Sequence, residues 1–349
     1  MLQEHSPRSD SAAVLALTPH GAGSLPDRMA RLRYAENFPV ASPLLGRTMR
    51  SQVHAIYQLA RLADDLADEP GIEDSVRLVC LGELLAWLDA APGARSLRLL
   101  PALEALGLGE PALRVLTQWQ DAVGGNPVIG REMRLMLSAF HWDARGFEPL
   151  DWEQFDRYAR GSAASVGRML LALHRCRQPS AIAASDAICL ALQRINMLQD
   201  AAVDAHRGRL YLPRGLLRDW GLTRKDWFAL CCAGSLGTQV ALGIREEARA
   251  QGLQLARHQG LAGMLPLRLG LEVRAILAGG NNIVRQLCAD PDVARRRPQL
   301  SRRMSWSLRL RLLGDFLMGL RQDDAVRATA GLGTCGRGTD PSPGKRAPP

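Results

Sequence analysis

The chain has 349 residues and a formal net charge of +9, and 47% of its residues are hydrophobic. This length allows one large domain or two medium ones, with a sizeable buried core. The positive charge is spread along the chain and no recognised nucleic-acid-binding module appears, so we expect no nucleic-acid partner. The seven cysteines lack paired spacing, and residues 1–26 lack the apolar run of a secretory signal. Both features favour the reducing cytoplasm.

Helical patterns follow one another along the chain, without strand alternation or an internal repeat. Residues 1–26 are expected to form a flexible lead and residues 328–349 a disordered tail. Between them the sequence predicts one all-α domain, residues 27–327, with helices around a central cavity. The longer predicted helices cover residues 44–67, 72–90, 151–175, 181–204, 222–255, 261–290 and 301–321. Shorter helices are predicted within 95–123, and one more runs from the turn at 124–127 to residue 142.

Two local signals qualify this pattern. Asp151 is a predicted N-cap, with Gln154 as its capping-box partner. The run 227–244 contains no charged residue between its ends and reaches transmembrane length. Because it contains glycines and polar side chains, a buried helix is the favoured interpretation over a membrane span.

Two pairs of aspartates stand out, Asp64 with Asp68 and Asp200 with Asp204, each four residues apart. On a helix this spacing puts both carboxylates on one face, where like charges repel. A bound cation removes that repulsion. Two such pairs facing each other predict a cage for a hard divalent metal, Mg²⁺ or alternatively Mn²⁺, which also binds substrate phosphates.

The neighbours of these aspartates suit a diphosphate. Arg61 lies one turn before Asp64, while Gln193 and Asn196 continue the polar face of the second pair. The residues that follow the second pair add further cations and a phenol: Arg207, Arg209 and Tyr211. Arginine forks bind phosphate oxygens and metal ions neutralise the leaving group, so this pattern predicts ionisation of an allylic or cyclopropylcarbinyl diphosphate. The resulting carbocation needs a water-poor apolar pocket.

From about residue 34 to residue 320 the chain resembles the squalene and phytoene synthase family. The first aspartate-rich motif of the family is matched by Tyr57, Arg61, Asp64, Asp65 and Asp68, and the second by Gln193, Asn196, Gln199, Asp200, Asp204, Arg209, Tyr211 and Pro213. The resemblance implies the all-α isoprenoid-synthase fold, metal ligation by the four paired aspartates, and catalytic roles for these aspartates and Arg61. It further implies a substrate site that includes Phe38, Tyr57, Arg61, Tyr158, Gln193, Asn196, Arg209 and Tyr211.

Within the family, residues 36–42, 126–128 and 208–213 resemble hydroxysqualene synthases of hopanoid biosynthesis. Such enzymes ionise presqualene diphosphate, rearrange the cation and let water capture it, without NADPH. This branch implies pathway partners in hopanoid synthesis. The alternatives are a squalene, dehydrosqualene, phytoene or presqualene diphosphate synthase of the same family, or a non-catalytic helical assembly protein.

Three positions depart from the family pattern. Arg160 stands where relatives carry a tyrosine linked to formation of the cyclopropyl intermediate, so that half-reaction is expected to be lost or weak, unless Arg160 simply pairs with a surface acid. Gln199 and Val203 replace a common arginine and glutamate. These changes fit the handling of one diphosphate, and also fit weaker metal binding.

Several residues have two possible interpretations. Asp65 and Glu69 face solvent or support the site from behind it, and His206 is a structural residue or positions water. The arginine-rich segments 295–303 and 309–311 form a solvated helix face, or contact anionic lipid headgroups as a peripheral protein at the inner membrane face.

Overall fold

The chain folds into helices, as its composition predicts. The computed structural model describes residues 46–68, 72–90, 101, 103–104 and 106–300, and no strand occurs among them. In chain order the helices are α1 Arg47–Asp68, α2 Asp74–Asp89, α3 Gly109–Ala122, α4 Pro127–Asp143, α5 Trp152–Ala159, a π-helical segment Arg160–Ala164, α6 Ser165–Leu173, α7 Pro179–His206, α8 Arg214–Asp219, α9 Arg224–Cys232, α10 Gly237–His258, α11 Leu261–Met264 and α12 Leu267–Ala289. The described residues belong to one compact unit that ends at Leu300. The predicted domain limits, the terminal segments and the helix at 301–321 lie outside them.

The core has two large clusters and a small third one. The first packs α1 to α4 together, and Leu59, Leu62 and Leu66 on α1 are fully buried in it. The second packs α7 against α9, α10 and α12. The third joins the two sides through apolar residues of α4, α5 and α7, namely Ala139, Phe155, Tyr158, Ala159 and Met197. This arrangement fixes α1 and α7, which carry the two aspartate pairs, by their apolar faces.

The helix predicted over 151–175 is interrupted by the π-helical segment. Its start is as expected, since the Asp151 carboxylate accepts a hydrogen bond from the Gln154 amide at 2.8 Å. The Gln154 side chain instead accepts from the Leu150 amide, at 2.9 Å. At the π segment the chain packs against α4 and α7. A Cβ atom on Gly161 would lie 2.5 Å from the Leu135 carbonyl oxygen, so glycine permits this close approach.

The run 227–244 is split between α9 and α10, so the favoured interpretation as one buried helix was wrong. α9 and the chain from Gly237 to Met264 meet at a bend of 102°, and Gly234 and Gly237 adopt positive φ angles of 72° and 76° there. Among the described residues, α7 is long and apolar enough to cross a membrane, as is this bent pair taken together. α7 packs against α6, α9, α10 and α12, the position of a core helix.

We expect Gly161→Ala to destabilise the fold by about 1–3 kcal/mol, because the new methyl group meets a backbone carbonyl that cannot turn away. Urea unfolding followed by circular dichroism measures the change. Gly82→Ala is the matched control, because a Cβ there meets nothing within 4 Å. That variant should gain up to about 1 kcal/mol from helix propensity. Equal stability of the two variants would refute the packing role of Gly161.

Candidate active site

A polar cavity of about 390 Å³ lies between the two aspartate helices. It is lined by α1, α4, α5, the π segment, α6, α7 and the chain after α7. Ten of the twelve predicted site residues line it: Tyr57, Arg61, Asp64, Tyr158, Gln193, Asn196, Asp200, Asp204, Arg209 and Tyr211. Phe38 and the side chain of Asp68, the last residue of α1, lie outside the described part of the chain. The roles assigned to these residues remain predictions, but their shared position is a property of the fold.

On the α1 wall, Arg61 bridges two aspartates. Its guanidinium nitrogens lie 3.0 Å from an Asp64 carboxylate oxygen and 2.5 Å from an Asp65 oxygen. Burial lowers the pKa of Arg61, but the neighbouring Asp64 and Asp65 outweigh it and raise the pKa above its ordinary value. The Asp65 side chain is only 2% exposed, so the solvent-facing interpretation of Asp65 was wrong. Asp65 supports the site from behind by holding Arg61.

On the α7 wall, Asp200 is held by an arginine from the chain after α12. The Arg297 guanidinium forks onto the carboxylate through Nε and through Nη2, the latter 3.1 Å from Oδ2. The interpretation of segment 295–303 as a solvated face was therefore wrong for Arg297. His206 does not line the described cavity, and its Nδ1 lies 2.6 Å from the Ala202 carbonyl oxygen. The structure thus gives His206 a local structural contact.

Tyr158 and Tyr211 form an aromatic third wall of the cavity. Tyr158 stacks between Phe147 and Tyr211, with ring centroids 4.8 and 6.0 Å apart. Its hydroxyl donates to Asp143 at 2.8 Å. Burial, followed by the nearby Asp143 and Tyr211, raises the pKa of Tyr158 well above its ordinary value. The phenol is therefore neutral at physiological pH. Sequence reasoning missed Asp143, because it ends α4 and reaches Tyr158 only through the fold.

A second, apolar cavity of about 410 Å³ adjoins the polar one. Ser162, Val166, Gln193 and Asn196 line both. The rest of its lining is mainly aliphatic and includes Leu170, Leu192, Leu265, Leu269, Ile276 and Ile283. Together the two cavities suit an elongated molecule with an anionic head and a hydrocarbon tail.

Comparisons with known proteins agree with this site. The profile of the family described as "Squalene/phytoene synthase" matches residues 32–304. The chain belongs to this family. The hydroxysqualene synthase of Rhodopseudomonas palustris is 32% identical over 268 residues, which cover 74% of this chain and 82% of that protein. The hydroxysqualene synthase of Zymomonas mobilis is 32% identical over 248 residues, covering 69% and 75%.

A solved structure shows the same architecture. The crystal structure of a squalene synthase from Alicyclobacillus acidocaldarius is 27% identical and superposes with a TM-score of 0.57, over 74% of this chain and 90% of that one. The predicted all-α isoprenoid-synthase fold is confirmed. Family membership makes the chain an enzyme that processes prenyl diphosphates, which leaves the non-catalytic alternative without support.

Members of the squalene/phytoene synthase family generally depend on divalent metal. Within the described residues, no three Asp, Glu, His or Cys side chains converge closely enough to hold an ion. Asp64 and Asp200 each contact a guanidinium, and the side chain of Asp68 lies outside the described part of the chain. The donors themselves fit, since Asp64, Asp200 and Asp204 offer carboxylate oxygens to one cavity, as Mg²⁺ requires.

The structure locates the three residues that depart from the family pattern. The Arg160 side chain is 51% exposed, and its closest approach to Asp186 is 4.0 Å. It does not line the described cavities. The Asp186 side chain is only 13% exposed and is held by the Arg168 fork, so it is not a surface acid. The expected loss of the cyclopropyl half-reaction stays a prediction. Gln199 is buried and donates a hydrogen bond of 2.7 Å to the Pro298 carbonyl. Val203 is likewise not among the lining residues of these cavities.

We expect Asp65→Ala to lower the free energy of unfolding by about 2–4 kcal/mol, because it leaves the half-buried Arg61 without its most buried partner. Chemical denaturation measures this loss. Asp74→Ala is the matched control, since Asp74 also contacts an arginine, at 3.6 Å, but its side chain is 85% exposed. That change should cost less than about 1 kcal/mol. A loss of similar size in both variants would contradict the role given to Asp65.

Proposed function

We propose that this enzyme is a hydroxysqualene synthase of hopanoid biosynthesis that converts presqualene diphosphate and water into hydroxysqualene, diphosphate and a proton. The observation that carries the prenyl diphosphate chemistry is the junction of the two cavities, one charged and one aliphatic. The choice of product is supported by the similarity to two hydroxysqualene synthases over most of their length. The alternatives are squalene, phytoene or presqualene diphosphate synthesis on the same scaffold.

The first step is cleavage of the carbon–oxygen bond of the diphosphate ester, with the electron pair leaving on the diphosphate. Arg61, Arg207 and Arg209 line the polar cavity and would neutralise the charge that grows on the departing oxygens. Asp64, Asp200 and Asp204, with Asp68 as the fourth predicted ligand, would hold a Mg²⁺ ion, which would further neutralise the diphosphate. Gln193 and Asn196, which line both cavities, would orient the substrate where its head meets its tail.

The second step is rearrangement and capture of the carbocation. The aliphatic cavity excludes water from most of the hydrocarbon. The aromatic side chains of Tyr57, Phe140 and Tyr211 line the polar cavity and would offer π faces, which stabilise a cation. Because Tyr158 stays neutral and donates its proton to Asp143, its hydroxyl oxygen would accept a hydrogen bond from a captured water without adding charge. Water forms the new carbon–oxygen bond and releases one proton, so the reaction balances without a hydride donor.

Incubation of the enzyme with presqualene diphosphate and Mg²⁺, without NADPH, should give hydroxysqualene as the main product. Gas chromatography with mass spectrometry of the extracted lipids identifies it. If the enzyme instead turns over farnesyl or geranylgeranyl diphosphate to a cyclopropyl product, the proposal is wrong and one of the alternatives holds.

Asp64→Asn and Asp200→Asn should each lower the turnover number by about 100-fold or more, because each removes a carboxylate charge from the diphosphate end. Single-turnover assays, with circular dichroism to verify the helices, measure this effect. Asp219→Asn is the control, because Asp219 ends α8, is exposed and lies outside the lining of the polar cavity. Survival of activity in both cavity variants would refute the assignment of the site.

A further inference from the structure

The chain that follows α12 is fastened to three helices of the core. The Asp292 carboxylate accepts hydrogen bonds from the Ser235 hydroxyl at 3.0 Å and from the Leu236 amide at 3.1 Å, at the start of α10. Gln286 on α12 exchanges two hydrogen bonds with the backbone of Gln299, at 2.9 and 3.2 Å. On α7, Gln199 donates to the Pro298 carbonyl at 2.7 Å. Residues 292–299 therefore have a fixed position that does not depend on Arg297.

This fixed segment delivers the Arg297 guanidinium to Asp200. The two N–H groups of the fork contact both oxygens of the carboxylate, which is the strong bidentate geometry. The pair is only partly shielded, with side-chain exposures of 34% for Arg297 and 19% for Asp200. An arginine side chain stays protonated at physiological pH, so the guanidinium is a permanent cation beside the second aspartate pair.

A divalent cation needs the carboxylate oxygens that this fork occupies. A metal ion and a guanidinium at the same two oxygens would also repel each other. We propose that Arg297 is the resting counter-ion of Asp200 and that an incoming divalent cation must displace it. The inference rests on the metal requirement of the proposed function and adds that metal binding is weakened by a residue of the chain itself. Arg297 stabilises Asp200 before the metal arrives and competes with the metal afterwards.

The test is a titration of the full-length protein with Mn²⁺, without any prenyl substrate, followed by electron paramagnetic resonance of the free ion. Arg297→Gln should lower the dissociation constant for Mn²⁺ about 3- to 10-fold, the size expected for loss of a partly exposed competing ion pair. Arg297→Lys keeps the charge but loses the fork, so its dissociation constant for Mn²⁺ should lie between those of the wild type and Arg297→Gln. The control is Arg295→Gln, which removes a guanidinium that is 70% exposed and contacts Asp292 at 3.5 Å. It should bind Mn²⁺ like the wild type.

A second comparison separates competition at Asp200 from a general charge effect. In a background that carries Asp200→Asn, Arg297→Gln should change Mn²⁺ affinity much less than in the wild type, because the contested carboxylate is gone and only the charge effect on Asp204 is left. Thermal unfolding by circular dichroism verifies that the variants fold. Unchanged Mn²⁺ affinity in Arg297→Gln, or an equal gain in Arg295→Gln, would overturn the inference while leaving the proposed function intact. Failure of every variant to bind Mn²⁺ would overturn the metal assignment and this inference with it.

Discussion

The structure depends on one electrostatic constraint, the gathering of several carboxylates around a single cavity. Asp64 comes from α1, and Asp200 and Asp204 come from α7, on the other side of the site. Like charges in a partly dehydrated space destabilise the fold unless cations accompany them. The chain supplies such cations, because Arg61 bridges Asp64 and Asp65 while Arg297 forks onto Asp200. The same charge that strains the cavity makes it a binding place for metal and diphosphate.

The rest of the fold holds the two carboxylate walls apart and joins them to an aliphatic space. α1 is fixed by fully buried leucines in one core cluster, and α7 is fixed by its contacts in the other. Between them the π segment brings its backbone against α4 through Gly161. Its next residue, Ser162, lines both cavities. A prenyl diphosphate needs this combination, since its head must meet charge and its tail must avoid water.

Much of this site could be predicted from the sequence because its key residues follow helical spacing. Asp200 and Asp204, one turn apart, share a face with Asn196, and that local pattern survives in the fold. The same local rules predicted the N-cap at Asp151. Contacts made across the fold gave no such signal. Arg297 meets Asp200 from a segment that is distant in sequence, and Asp143 meets Tyr158 from another helix.

Burial decided the interpretation of Asp65, which local patterns left open. Asp65 has the sequence neighbourhood of an exposed helix position, but the helix turns it toward the core, where Arg61 compensates its charge. Arg160 lies outside the lining of the described cavities, whereas Tyr158, two residues earlier, lines the polar one. A shift of two residues along a helix changes the face by about half a turn. The expected effect of Arg160 on the reaction stays a prediction.

The most direct test of the central claim, that both aspartate helices serve one diphosphate site, is a crystal structure with Mn²⁺ and inorganic diphosphate. Anomalous scattering locates the manganese without reference to the protein. We expect manganese within bonding distance of carboxylates from both α1 and α7, with diphosphate in the polar cavity and the Arg297 fork released from Asp200. Manganese bound by one helix alone, or diphosphate outside this cavity, would contradict it.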